Sequence, residues 1–333
     1  MEKHIVSLFN ENILKEAALR YGASYNNVTK VGGFENFIYE FSLGEEIYIL
    51  RISHSDHRTL ELVEAELEWV NFLAVHQAFV STPIKSVNDN LVEVIKCDNQ
   101  TYFTATAYVK AKGTHVNKKA VKDDMLINYG YTVGILHQLT KKYIAKNSKR
   151  LNWDKDLLIV NALDYLPKSE IEIYYKLKDL LVIINSLPKD INNFGLIHND
   201  IHMGNFFVND NNITVFDFDD CTYMWFISDI AIALFYYVFF EPAFDKKNKL
   251  AENFMNLFMK GYQKANQIDS YWLKQLQYFL KLREIILYIA VYRSLDVETN
   301  EWAKKYISLY RESILNNKPF LDLDFTKFAN YDY

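Results

Sequence analysis

The sequence predicts an α+β fold in two parts, a small first part built on an antiparallel sheet with a helix and a larger, mainly helical second part. Over residues 28–52 and 91–109, apolar side chains fall in short runs bounded by turn residues, the pattern of strands. Beyond residue 120, long segments repeat apolar side chains at helical spacing instead. The chain has only 10 Gly and 5 Pro in 333 residues, which favours long helices over many short strands joined by glycine-rich turns.

Taken in order, Ile5, Leu8, Phe9, Ile13, Ala17 and Leu19 recur at roughly helical intervals up to Gly22, which predicts one leading helix over 5–21. Strands are predicted at 28–33, 37–43 and 46–52, with Leu43-Gly44-Glu45-Glu46 as the turn between the last two. Gly32-Gly33-Phe34-Glu35-Asn36 separates the first two. Small residues there let backbone amides approach a phosphate, although a Gly-Gly pair by itself marks an ordinary turn. Residues 59–76 form an amphipathic helix carrying Glu61, Glu64, Glu66 and Glu68. A second strand pair, 91–95 and 101–109, turns at Asp98-Asn99. Helices are then predicted over 123–139, 169–187 (ended by Pro188), 230–240, 251–267, 271–295 and 298–315. Asp229 opens the 230–240 run, where a carboxylate meets the helix N-terminal amides favourably.

Composition narrows the classes of function. Half of the residues are hydrophobic, ample for substantial cores. A formal net charge of -5 argues against general nucleic-acid binding, which needs a basic face. The longest apolar run, 230–240, is too short to span a bilayer, so no membrane association is expected. Cys97 and Cys221 lie far apart without metal-ligand spacing, and residues 1–10 lack the pattern of a secretory leader. A reducing cytoplasm is the expected setting, and a homodimer is compatible with all of this.

Residues 194–220 carry the chemistry. The runs Phe206–Val208 and Ile213–Phe216 flank Asn209-Asp210-Asn211-Asn212, which reads as a hairpin with a turn of four residues. His198, Asp200, His202 and Asn205 precede its first strand, and Asp217 and Asp219 end its second. Carboxylates and an amide are the ligands of a hard cation. Mg²⁺ takes one or two such oxygens besides those of a nucleotide's phosphates, and phosphoryl transfer needs a separate carboxylate to orient the attacking hydroxyl. Asp200 suits the second task, Asn205 and Asp217 the first. The alternative is a metal-dependent hydrolase, because an extended His198-Asn199-Asp200-Ile201-His202 puts His198, Asp200 and His202 on one face as a zinc site uses them. That reading leaves Asn205 and Asp217 without a task.

His198-Asn199-Asp200-Ile201-His202-Met203-Gly204-Asn205, followed by Asp217-Phe218-Asp219-Asp220, resembles the signature of the aminoglycoside phosphotransferase family, small-molecule relatives of protein kinases that include choline kinases. The resemblance implies a protein-kinase-like two-lobed fold with a nucleotide-binding first lobe. It also implies transfer of the γ-phosphate of ATP or GTP, with Mg²⁺, to a hydroxyl of a small molecule such as an aminoglycoside, amino alcohol, homoserine-like compound or sugar. By the same resemblance Asp200 is the catalytic carboxylate and Asn205 and Asp217 are metal ligands. His198, His202 and Asp219 support the site, and Asp229 braces the catalytic-loop backbone. Gly32 and Gly33 belong to the nucleotide loop. Arg51 stands where kinases place a phosphate-binding lysine and is expected to pair with a helix glutamate, Glu66 in preference to Glu64 or Glu68. Residues 104–113 resemble the hinge, where Ala107, Tyr108 and Val109 meet adenine through their backbone, which implies a lobe boundary after residue 108, giving 1–108 and 109–333. Asp219 stands where protein kinases have glycine, and the full glycine-rich loop pattern is missing. The short link from Asp217 to Asp229 leaves little chain to hold a peptide, which puts a small acceptor ahead of the alternative, a protein Ser/Thr kinase. Asp219, Asp220, Glu241, Asp296 and Glu298 are candidate acidic walls for an amine-bearing acceptor.

Overall fold

Asn10 divides the leading segment, which forms α1 (Lys3–Leu8) and α2 (Glu11–Arg20) instead of the single helix expected. Its backbone is extended, and its side-chain oxygen accepts the N–H groups of Asn12 and Ile13 at 3.0 and 3.3 Å. That is an N-cap, and it starts a new helix. The computed structural model describes residues 3–33, 35–97, 100–116, 121–146 and 149–329. They fall into two units. The first comprises Met1–Gly113, Tyr143–Arg150 and Thr214–Asp219; the second comprises Thr114–Lys142, Leu151–Ile213 and Asp220–Tyr333. The first unit thus runs past residue 108 to Gly113 and takes in two later segments.

The first unit is built on β1 (Thr29–Gly32), β2 (Phe37–Leu43) and β3 (Glu46–His54), then α3 (Leu60–Val75), β4 (Pro83–Ile84), β5 (Glu93–Lys96) and β6 (Tyr102–Val109). All strand pairs are antiparallel, in the order β1-β2-β3-β6-β4, with β5 also on β6. The expected turn at Asp98-Asn99 lies outside the described residues. Because side chains alternate across a strand, Phe37, Tyr39, Phe41, Leu50, Ile52, Phe103, Ala105 and Ala107 share one core with Ile13, Leu14, Ala17 and Ala18 of α2. The same alternation sends Arg51 to the other face, opposite Thr106 of β6. There α3 supplies the buried Glu66. The later segments join this unit through backbone and ring contacts: Ser81 N–H donates to Val215 O at 2.8 Å, and Phe218 meets Trp69 edge to face at 5.4 Å.

The second unit contains α4 (Asp123–Thr140), two short helices, α5 (Leu157–Val160) and α6 (Ala162–Tyr165), and α7 (Ile171–Asn185). Next come β7 (Phe194–Ile197), β8 (Phe206–Asn209), β9 (Asn212–Val215), whose end passes into the first unit, and β10 (Thr222–Trp225). It finishes with α8 (Ile227–Val238), α9 (Phe244–Ala265), α10 (Ser270–Ser294) and α11 (Glu301–Leu315). The β8–β9 turn is tighter than the four residues expected. Asp210 and Asn211 alone form it, at φ +47° and +71°, the left-handed pair that suits the twist of a two-residue hairpin. Strands β7 and β10 pair antiparallel and place the chain just before His198 beside the chain that leads into α8. That helix is buried from Ile227 to Phe235. No helix among the described residues is long and apolar enough to cross a membrane.

Helices α4 and α9 approach through their glycines. A Cβ on Gly130 would lie 1.8 Å from Phe258 O, and one on Gly261 would lie 1.7 Å from Ile127 O. Backbone on each side leaves no side chain to yield. Gly261→Ala is therefore expected to lower the unfolding free energy by about 1–3 kcal/mol, as overpacked cores do. Gly32→Ala, where an added Cβ meets nothing within 4 Å, should leave it nearly unchanged. Urea unfolding of the two variants checks the contrast, and equal midpoints would refute the close approach.

Candidate active site

The candidate site residues divide between the two units. In the second, the loop from His198 to Asn205 links β7 to β8 and turns sharply at Asn199, which has φ +64°. A group from outside the loop must satisfy its first two backbone N–H groups. Asp229 does so from the first turn of α8, accepting the N–H groups of His198 at 3.1 Å and Asn199 at 2.8 Å. The Asp229 carboxylate thus goes to the loop, and the expected partnership with amides of its own helix is not what holds it. His137 of α4 lies 3.1 Å from the same carboxylate and 2.9 Å from the Tyr262 hydroxyl. This places His137 as a packing and bracing residue.

Asp200 is closely surrounded. Its Oδ1 accepts Arg283 Nη2 at 2.5 Å, and its Oδ2 accepts Asn205 Nδ2 at 3.0 Å and lies 3.4 Å from His202 Nε2. Since His202 Nδ1 accepts the Gly204 N–H at 2.9 Å, a neutral His202 ring carries its proton on Nε2, facing Asp200. Burial works to raise the Asp200 pKa, yet the Arg283 guanidinium, the His202 hydrogen bond and the nearby His198 outweigh it and hold the carboxyl down to about 2. Asn205 Nδ2 also donates to Asp200 O at 2.9 Å. With its N–H groups turned to Asp200, the amide has its carbonyl oxygen left for a hard cation. Asn205, in the second unit, and Asp217, in the first, each offer the kind of oxygen that Mg²⁺ takes. His198 Nδ1 accepts the Asp200 N–H at 3.3 Å, and His198, Asp200 and His202 are not among the described groups whose ligand atoms gather for one ion. The bend at Asn199 removes the extended conformation on which the hydrolase alternative rests.

In the first unit, Arg51 and Glu66 form a two-point pair: Nη1 to Oε1 and Nη2 to Oε2, both at 2.8 Å and both buried. Glu66 is thus the helix glutamate that meets Arg51, whereas Glu68 accepts the Tyr143 hydroxyl at 2.9 Å and the Lys146 N–H at 2.7 Å. The Tyr108 ring lies 5.3 Å from the Arg51 guanidinium, and its hydroxyl donates to Glu66 at 3.3 Å. Burial works against the Arg51 charge, but Glu66, Tyr108 and Asp219 more than offset it and raise its pKa well above the ordinary value. Asp217 adopts φ +62°, a left-handed conformation uncommon outside glycine and found at functional turns. Two residues on, Asp219 meets His57 Nε2 at 2.8 Å, Arg58 Nη2 at 3.5 Å and Arg51 Nη1 at 3.9 Å, while its carbonyl accepts Arg150 Nη2 at 2.5 Å. Burial would raise the Asp219 pKa; Arg58, His57 and Arg51 instead hold it well below the usual carboxylate range.

The segments expected to serve as nucleotide loop and hinge lie in the first unit. Gly33 has φ +122°, and a Cβ there would lie 1.8 Å from Asn36 O, so glycine is required; Gly32 is exposed at the end of β1, and Phe34 lies outside the described residues. Ala107 and Tyr108 sit between β3 and β4, paired on both sides. Val109 N–H donates to Thr82 O at 2.8 Å, its C=O accepts Ser81 Oγ at 2.5 Å, and Lys110 N–H donates to Ile47 O at 3.0 Å. The Val109 and Lys110 N–H groups are thus already bonded within the unit, while each carbonyl along this stretch keeps a second lone pair. Two of the acidic wall candidates serve their own turns: Glu241 accepts the Ala243 N–H at 2.9 Å, and Asp296 accepts the Glu298 N–H at 3.0 Å.

Sequence reasoning missed Arg283 and Tyr236 around Asp200, and His57, Arg58 and Arg150 around Asp219. Arg283 carries one signal, a cation inside the apolar stripe Leu276, Phe279 and Leu280. The other cations reach Asp219 through tertiary contacts that no local spacing encodes. Removing one partner of the Arg51–Glu66 pair leaves a buried charge poorly balanced. Glu66→Leu is expected to cost about 3–5 kcal/mol, and adding Arg51→Met should recover much of that loss. Equal urea midpoints for the single and double variants would refute the pairing.

Comparison with known proteins places this geometry. Residues 28–263 match the model of the phosphotransferase enzyme family. The chain is 35% identical over 332 residues to the amicoumacin kinase of Bacillus subtilis (strain 168), covering 98% of each protein. Among solved structures, amicoumacin kinase hAmiN in complex with AMP-PNP, Ca²⁺ and Ami is similar at a TM-score of 0.93 and 29% identity, over 98% of this chain and 99% of that one. A microcompartment-associated aminopropanol kinase shares the fold at a TM-score of 0.75 and 20% identity, over 92% and 95%. The chain has the protein-kinase-like α+β fold of these neighbours, belongs to the phosphotransferase enzyme family, and is a small-molecule kinase.

Proposed function

We propose that this protein transfers the γ-phosphate of ATP, with Mg²⁺, to a hydroxyl of an amicoumacin-like small molecule. The observation that carries the reading is the Asp200 carboxylate, held ionised beside Asn205 in a braced loop. End-to-end similarity to an amicoumacin kinase supports that acceptor, and the AMP-PNP and Ca²⁺ of the solved relative support ATP with a divalent ion. The acceptor oxygen forms a bond to the γ-phosphorus as the bond to the β,γ-bridging oxygen breaks; ADP leaves, and the hydroxyl proton passes toward Asp200. A bound Mg²⁺ neutralises phosphate charge that develops in this step. Asn205 and Asp217 are its proposed ligands. Arg51 meets the nucleotide phosphates as a rigid fork aligned by Glu66, and the Gly32-Gly33 turn covers them. His198, His202 and Asp229 hold the catalytic loop, and Asp219 anchors the turn after Asp217. The adenine edge is proposed within residues 104–113, at the end of β6 and just beyond it.

Asp200→Asn is expected to leave ATP affinity nearly intact while lowering turnover with amicoumacin by about 10²–10⁴-fold, the range of a lost general base. Asp217→Asn should weaken Mg²⁺-dependent ATP binding. Both are read by ADP release and nucleotide titration, alongside amino alcohols, aminoglycosides, sugars and a generic protein as acceptors. Full transfer by both variants would sink the site assignment. Transfer to protein with none to any small hydroxyl compound would favour the protein-kinase alternative.

A further inference from the structure

Arg283 occupies a position on α10 between Leu282 and Glu284, both buried, and its own side chain is 17% exposed. A single nitrogen, Nη2, donates to Asp200 Oδ1 at 2.5 Å and to the Tyr236 hydroxyl at 2.7 Å. The guanidinium also lies 4.9 Å from the centre of the Tyr236 ring. Burial opposes its charge, but Tyr236 and Asp200 outweigh that and hold its pKa above the ordinary value. One nitrogen therefore joins the 198–205 loop, α8 and α10.

The consequence for Asp200 is orientational. Its Oδ2 is engaged from within its own loop, by Asn205 Nδ2 at 3.0 Å with His202 Nε2 at 3.4 Å. Its Oδ1 is engaged from α10. A carboxylate gripped at both oxygens from different elements cannot turn about its terminal bond. Each oxygen still has a second lone-pair direction, and the grip determines where that direction points.

We propose that Arg283 is a positioning residue for phosphoryl transfer, aiming the Asp200 carboxylate at the acceptor hydroxyl while Tyr236 holds the guanidinium in place. The proposal rests on the reading of Asp200 as the catalytic carboxylate. Phosphoryl transfer depends largely on positioning, and a misplacement of about 1 Å costs about 100-fold in rate. Lysine at this position keeps the charge but lacks the flat guanidinium that lies against the Tyr236 ring while Nη2 reaches Asp200.

The test compares Arg283→Met, Arg283→Lys, Tyr236→Phe and Asp200→Asn with the wild type, using ATP with amicoumacin as acceptor and recording kcat, both KM values and thermal unfolding. For Arg283→Met, kcat should fall by about 100-fold with the ATP KM unchanged. Guanidinium ion at non-denaturing concentration should partly restore it, while potassium ion at equal ionic strength should not. Arg283→Lys should lose about tenfold, and Tyr236→Phe should lose less. If Arg283→Met fails to fold, the lysine and phenylalanine variants decide by the same split between kcat and the ATP KM. The proposal is overturned if the folded arginine variants keep kcat within about threefold of wild type while Asp200→Asn is inactive, or if losses only follow the folded fraction without guanidinium rescue. Transfer retained by Asp200→Asn would instead bring down the underlying reading of Asp200.

Discussion

The geometry of the 198–205 loop depends on one carboxylate. Asn199 holds φ +64°, and a chain bent that way directs its neighbouring N–H groups away from any ladder. Left unpaired in a buried setting, such groups would each cost on the order of 1–3 kcal/mol. Asp229 accepts the N–H groups of His198 and Asn199 together, at 3.1 and 2.8 Å, from the fully buried first turn of α8. Strands β7 and β10 pair just upstream of these two positions and bring loop and helix to a common place. With the backbone fixed, Asp200, His202 and Asn205 are constrained to the loop's inner hydrogen bonds, and the site inherits the stiffness of a buried helix.

The first unit solves a related problem with charges. Arg51 and Glu66 are buried together, and an isolated ion there would be far too costly, so the two-point geometry and the Tyr108 contacts are what make the burial tolerable. Asp219 adds a second carboxylate beside Arg51 and is itself balanced by Arg58 and His57. Two anions among three cationic or ionisable partners form a network in which moving one member disturbs the rest. Such a network positions the turn that carries Asp217 more strictly than a lone hydrogen bond would. A lysine in place of Arg51 could not match both carboxylate oxygens in one plane.

Much of this was readable in the sequence because burial imposes periodicity. Helices α4, α7, α10 and α11 lie close to the predicted spans, and β2 and β3 follow the alternation that places Leu50 and Ile52 inward and Arg51 on the opposite face. Elements too short to show a period were missed: β4 is two residues beginning with proline, and β7 and β10 are four residues each. The break at Asn10 escaped because a polar cap between two apolar stretches looks like one helix when only spacing is counted. Strand pattern alone showed that Ala107–Val109 were extended, but only the neighbouring β4 and Ser81 show that their backbone groups are already used.

The charged residues separate by the same criterion. In α3, Glu66 falls within the buried stripe of Val63, Leu67 and Val70, whereas Glu61 and Glu64 lie on the exposed side. A carboxylate placed in an apolar stripe demands a buried cation, which is why Glu66 and not its neighbours meets Arg51. Arg283 on α10 follows that logic with the sign reversed: a cation in an apolar stripe demands an anion, and it meets Asp200. By contrast, Glu241 and Asp296 each accept a backbone N–H two residues on. A charge that breaks hydrophobic periodicity is therefore a stronger sign of a site than charges clustered on polar positions, because only the former must be balanced by a particular residue elsewhere in the fold.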